Sequence, residues 1–193
     1  MPVPSSAHPQ WFQPDAPLLP GWNLHLDEIR DFLGDQKKDN WCWAAVTALA
    51  SKMLGLNGGQ GFTQDEVVLK VDPNMADEPN SVRHSWHKVG IDAVQISSGS
   101  LEGQRADILR RVADGQPVGI HIDWITNPPT PGHELCAIAT GQIGGEPALA
   151  VYDPAKGGDT DNIVQLPVSG LNNYYAGDKA GLRGYWSAAT RLA

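Results

Sequence analysis

Residues 35–50, DQKKDNWCWAAVTALA, decide how this chain reads: a polar loop, two tryptophans around one cysteine, then an alanine-rich apolar run. Ala44, Ala45, Ala48 and Leu49 are strong helix formers at helical apolar spacing. A helix is therefore predicted over 41–54, ended by GLNGGQG at 55–61. Cys42 falls in its first turn, where backbone N–H groups have no intrahelical acceptor and the helix dipole favours negative charge. The thiolate, not the thiol, is the nucleophile. An ordinary buried cysteine is only a small hydrophobe. Here Gln36 stands six residues upstream. Its side-chain amide and the Cys42 N–H together suit donation to a developing oxyanion.

A thiolate nucleophile needs an imidazole partner. Of six histidines, His133 in PTPGHELCAIAT follows a Pro/Gly loop and opens an apolar strand, a sound position for a base at a cleft edge. His121, in GIHID, is the rival, but lies mid-strand and is expected to pack or face solvent. His84 and His87 stand three apart on a predicted helix with no further clustered ligand, so a metal site is not expected. His8 and His25 carry no pattern. The imidazole in turn needs an orienting acid or amide. Asp153, in AVYDPAKGG, lies twenty residues after His133 at the end of the next strand, and hairpin pairing would set it beside the histidine. A turn aspartate before Pro154 is the competing explanation; Asp123 and Asp161 are weaker substitutes. Cys136, three residues past His133, alternates to the opposite strand face and reads as a core thiol. Trp43 is expected over the active-site side of the helix and Trp41 at the cleft wall, unless both serve the core.

Outward from this centre, residues 1–24 are proline-rich without helical period and read as an arm or linker that Trp11, Phe12 and Trp22 can anchor. LHLDEIRDFLG suits a strand or a short helix. TQDEVVLKV opens with a capping-box pattern, Thr63 to Glu66, and predicts a second helix. NSVRHSWHKVG predicts a third, closed by Gly90, followed by a strand in IDAVQIS. Leu101, Ile108, Leu109, Val112 and Ala113 line one face of a fourth helix ended by Gly115. The period then changes: PVGIHIDW, HELCAIATG, PALAVYD, NIVQLPV and GYWSAATRL are short β-prone runs between turns. Helices first and strands second predict an α+β fold with an antiparallel sheet.

The 193-residue length suits one domain, or one domain with a tail. A formal charge of −8 carries no basic footprint for nucleic acid and no polybasic patch for a membrane. Two cysteines make no disulfide framework, although one bridge between Cys42 and Cys136 stays open. The amino end has neither a basic start nor an apolar signal core, which argues against a Sec-secreted precursor and leaves other export routes open. Nucleotide, zinc and calcium signatures are missing, so no cofactor is expected.

Gln36, NWCWAAV around Cys42, GHELCAI around His133 and YDPAKG around Asp153 together resemble the compact bacterial papain-like cysteine peptidases. The resemblance is to the AvrRpt2-like effector proteases, with the C39-like peptidases as relatives, and covers the chain from Gln36 to the last strand. It implies a papain-like cysteine peptidase fold over 25–193, with a helical half carrying the cysteine, a sheet half carrying histidine and aspartate, and the cleft between them. It implies Gln36 in the oxyanion hole, Cys42 as nucleophile, His133 as base and Asp153 as orienter. It further implies a protein or peptide substrate, a role as effector or toxin, and an immunity or inhibitor protein as partner; secretion by a non-Sec route or delivery into a target cell fits that role, with a cytoplasmic location as the alternative. The pattern departs from papain itself. The CGSCW run is absent, and the third residue is Asp rather than Asn. The 91-residue gap from Cys42 to His133 is shorter than the roughly 130–150 of papain and the cathepsins. Transglutaminase or amidase chemistry on the same residues, and a non-catalytic peptide-binding domain of this fold, are the alternatives.

Overall fold

Helix α1, Cys42–Met53, is the pivot of the architecture, and every residue from Cys42 to Ser51 is buried. Alanines on all its sides let neighbours approach the backbone closely, so the helix runs inside the protein rather than along its surface. The computed structural model describes residues 29–96, 100–155, 162–175 and 183–193. The proline-rich arm at 1–24, His8, His25 and Asp161 lie outside the described residues.

A short 3-10 turn, Arg30–Phe32, stands where a strand or short helix was expected. Helix α2, Gln64–Val71, begins with the full capping box: Thr63 accepts from the Glu66 N–H, and the Glu66 carboxylate accepts from the Thr63 N–H. Helix α3, Val82–Lys88, is capped by the Ser81 side chain, and α4, Leu101–Ala113, by that of Ser100. α1 packs against both α2 and α3. Its buried hydroxyls are paired: Thr47 donates to the Trp43 carbonyl and bonds with Ser85, and Ser51 donates to the Ala48 carbonyl while accepting from the Phe62 N–H.

The strands form one sheet, all but the first of them after α4. Its strands are β1 (Ala93–Gln95), β2 (Val118–Trp124), β3 (His133–Ile143), β4 (Glu146–Tyr152), β5 (Ile163–Pro167), β6 (Tyr174–Tyr175) and β7 (Arg183–Leu192). Among the described residues the order is β1-β7-β2-β3-β4-β5, with β6 on β7, and every pairing is antiparallel. Period-2 alternation divides the core between the two faces. Cys136, Ile138, Ala150 and Tyr152 face α1, α2 and α3. Leu135, Ala137, Leu149 and Val151 face the other way, into a core shared with Ile108 and Val112 of α4. The fold is thus α+β, helices first and antiparallel sheet second, as the periodicity predicts. The pattern had not shown β6 or the 3-10 turn Val168–Asn173 before it. Both are too short to leave a period in the sequence.

Candidate active site

Cys42 and His133 are each the first residue of their element, one opening α1 and the other opening β3. Helix α1 lies on β3, and the two starts meet. Trp41 at the N-cap supplies no side-chain cap, so the first turn keeps its N–H groups uncapped by any side chain beside the sulfur. Cys42 is 8% exposed and unpaired by any disulfide.

The His133 ring lies between two polar partners. Its Nε2 is 2.6 Å from Asp153 Oδ1, and Cys42 also acts on the ring, adding to the forces that raise its pKa. Because Nε2 is taken by the carboxylate, Nδ1 is the nitrogen left for sulfur. Trp124, the last residue of β2, stacks on the imidazole with centroids 5.7 Å apart and planes 19° apart. Register explains the contact: Ile122 pairs with His133, so the ring two residues beyond it on the same face closes over the histidine.

Asp153 follows the last residue of β4. Tyr152 pairs with Cys136 across the hairpin, which brings the next residue to the end of the sheet where β3 starts. The carboxylate is almost fully buried and receives three donors. The His133 ring and the Ala155 N–H, at 3.0 Å, share Oδ1, and the Tyr174 hydroxyl donates to Oδ2 at 2.5 Å. Burial pushes its pKa up, but the His133 charge and these hydrogen bonds outweigh that and hold it down at about 2. For His133, burial pushes down, while the Asp153 charge and hydrogen bond, with Cys42 behind them, raise it to about 10. The ring is thus held as an imidazolium at neutral pH.

Gln36 is brought to the same end of the sheet by its backbone. Its N–H donates to the Pro154 carbonyl, one residue past Asp153. The preceding segment is stitched to the sheet as well, through Tyr152 Oη to the Gly34 carbonyl and Asn162 Nδ2 to the Leu33 carbonyl. The side chain, however, gives both amide hydrogens to main-chain carbonyls, Lys38 at 2.9 Å and Asp39 at 2.6 Å. Its Oε1 is buried without a partner. Exchanging the two amide atoms would set oxygen against two carbonyl oxygens, so this orientation is the one the chemistry requires. Donation to an oxyanion would require the amide to release one of these bonds, at a cost of about 1 kcal/mol.

The remaining candidates take other roles. His121 sits beside Glu134 (3.0 Å) and Asp123 (3.3 Å) and makes no pair with Cys42 or Asp153 among the described contacts. Glu134 adjoins His133 but points to the opposite face, so His121 and His133 belong to different faces of one hairpin. Asp123 is drawn into that pair and does not orient His133. Among the described residues no metal-ligand cluster forms, and His84 and His87 are exposed on α3. Cys136 is a buried core thiol, its pKa raised to about 12 by burial. Trp41 and Trp43 are core residues rather than cleft walls. Both are buried, and their indole N–H groups donate to the Ala76 and Glu78 carbonyls, tying the loop before α3 to α1. Sequence reasoning missed Trp124 and Tyr174. A hairpin register built outward from His133 would have found Trp124. Nothing in NNYY distinguishes Tyr174.

No protein-family model matches this sequence, and no curated protein does. Solved structures are similar in fold. One comes from work on the limited antibody cross-reactivity of the mite allergens Blo t 1 and Der p 1. It aligns at 10% identity and TM-score 0.52 over 83% of this chain, which spans 66% of that chain's length. Digestive procathepsins L2 and L3 of Tenebrio molitor larval midgut align at 14% identity, over 83% and 97% of this chain and 67% and 73% of theirs, with TM-scores of 0.38 and 0.43. The likeness carried by the mite-allergen structure is one of fold: this α+β arrangement is that of the papain-like cysteine peptidases.

Proposed function

We propose that this protein is a cysteine peptidase that hydrolyses peptide bonds of a protein substrate through Cys42, His133 and Asp153. The observation that carries the reading is the His133 ring, bonded through Nε2 to the buried Asp153 carboxylate and coupled to Cys42 at the start of α1. The Cys42 thiolate attacks the scissile carbonyl carbon, forming a C–S bond and an oxyanion. The Cys42 N–H, at the start of α1, is the backbone donor to that charge. Gln36 supplies a further donor once its amide turns from the Lys38 and Asp39 carbonyls. His133 gives its proton to the leaving amine as the C–N bond breaks, leaving a thioester. The neutral imidazole then takes a proton from water, the hydroxide displaces the sulfur, and the acid product leaves with thiolate and imidazolium restored.

Asp153 supports both steps by stabilising the imidazolium and fixing which ring nitrogen faces sulfur. The resemblance of NWCWAAV and GHELCAI to the AvrRpt2-like effector proteases supports a setting as a bacterial effector or toxin. In that setting the protein is delivered into a target cell by a non-Sec route and held in check by an immunity protein. The test is to incubate wild-type and Cys42→Ala protein with candidate bacterial and host lysates and map new amino termini. New termini formed only by the wild type support hydrolysis. Incorporation of a labelled amine without new termini would turn the reading to acyl transfer, and activity retained by Cys42→Ala would end both. Losing a triad nucleophile costs on the order of 10⁴-fold or more.

A further inference from the structure

The side chain of Tyr174, which opens β6 after the 3-10 turn, reaches the site through Asp153. The tyrosine is 2% exposed. Its hydroxyl donates to Asp153 Oδ2 at 2.5 Å, and its ring lies 6.4 Å from that of Trp124, which covers His133. Asp153 Oδ1 is already shared by His133 and the Ala155 N–H. Without a donor on Oδ2, half of a buried carboxylate's charge would have no partner but the imidazole. A hydrogen bond to an ionised acceptor is among the strong ones and takes up part of that charge.

We propose that Tyr174 is a positioning residue of this site: its hydroxyl pins the Asp153 carboxylate and shares its charge, so that His133 is aimed at Cys42 without its proton being held too tightly to pass on. The inference rests on the peptidase reading above. The phenol stays protonated, since burial and the neighbouring Asp153 charge both push its pKa up. Among the described residues, the other titratable groups packed around this line are few. Cys42 comes from α1. Tyr152 comes from β4, its hydroxyl committed to the Gly34 carbonyl, with Asp35 beyond it. Arg183 of β7 is bonded to Asn173. On the far face Glu134, His121 and Asp123 are occupied with one another.

Tyr174→Phe removes the hydroxyl and keeps the ring. Two measurements apply: kcat and KM on a cleaved peptide, and a ¹⁵N-imidazole NMR titration of assigned His133, which needs no substrate. The expected result is a fall in kcat of roughly 5- to 20-fold with KM unchanged. In the same protein His133 loses its proton ~0.5–1 pH unit higher than in the wild type, because the carboxylate now bears on the imidazolium alone. Site-specific 3-fluorotyrosine at position 174 is a stronger donor and should move the titration the other way. It also serves if Tyr174→Phe does not fold. Unchanged titration and unchanged kcat in these proteins would overturn the inference, as would a loss of thermal stability with neither readout altered. If the NMR shifts appear but no peptide is cleaved by the wild type, the positioning of His133 stands and the peptidase reading fails. If peptide is cleaved and neither variant shifts His133, the reverse holds.

Discussion

Asp153→Asn isolates charge from geometry at this site. The carboxylate oxygen that accepts from both His133 and Ala155 is Oδ1, so an asparagine can keep its carbonyl there. Its amide then faces the Tyr174 hydroxyl, which can accept in place of donating. The hydrogen-bond framework survives, and what vanishes is one negative charge in a site where Asp153 is 1% and His133 6% exposed. That charge is the main force raising the His133 pKa from 6.5 to about 10 against burial, with Cys42 adding to it. At 1.36 kcal/mol per unit, the net rise corresponds to about 5 kcal/mol, which Asp153 shares with Cys42. Assigning Asp153 roughly half to four-fifths of it makes the loss ~2–4 kcal/mol, or on the order of 10²–10³-fold in kcat/KM at pH 7. The ring would then titrate roughly 2–3 units lower, near 7–8 instead of near 10. A pH profile of kcat/KM on a fluorogenic peptide, from pH 5 to 10, should therefore show the alkaline limb collapsing toward neutrality together with the loss of rate. Activity within twofold of the wild type, with the alkaline limb unmoved, would refute the view that Asp153 sustains the imidazolium.

Other outcomes follow from the same contacts. A Cβ at Gly132 would strike the His121 ring and come within 2.8 Å of the Ile122 carbonyl oxygen. Gly132→Ala should push the loop away from β2 and displace the adjoining His133, lowering kcat by ~10-fold or more and leaving a folded protein by circular dichroism. Thr63→Ala breaks the capping box of α2 and should cost about 1 kcal/mol in urea denaturation, with activity unchanged because α2 bears no site residue. The His133 pKa is raised on folding, so its contribution to stability is full below its ordinary value of 6.5 and is lost as pH rises toward 10. Asp153 is lowered, so its contribution is full above 3.8 and is lost as pH falls toward 2. The Tm difference between wild type and His133→Ala should accordingly be widest between about pH 4 and 6.5, narrowing on both sides in scanning calorimetry.

Much of this architecture is legible in one dimension because the relevant physics is local. The alanine run after Cys42 has no other stable conformation as economical as a helix, and the Thr63–Glu66 box marks the start of α2 by two hydrogen bonds within four residues. The change from helical to alternating period near residue 117 announces the sheet. Cys42 and His133 could be singled out for a similar reason: each stands at an element boundary marked by its immediate neighbours. Asp153 required one further step, the assumption of a hairpin, which the β3–β4 register satisfies.

Contacts between distant segments were decided only in three dimensions. Trp41 and Trp43 looked like cleft residues beside a cysteine, yet the loop at 72–80 offers their indoles acceptors and draws them into the core. Gln36 has the residue type and spacing of an oxyanion donor, but the turn at Lys38 and Asp39 presents two carbonyls that claim its amide first. Tyr174 meets Asp153 across 21 positions, and Trp124 meets His133 through sheet register. Sequence alone determined the elements and the place of Cys42 at a helix start, because helix caps and strand alternation act over a few residues. The tertiary structure decided which polar atoms hold one another there, because a buried donor takes whatever acceptor packing brings within 3 Å, however far away it lies along the chain.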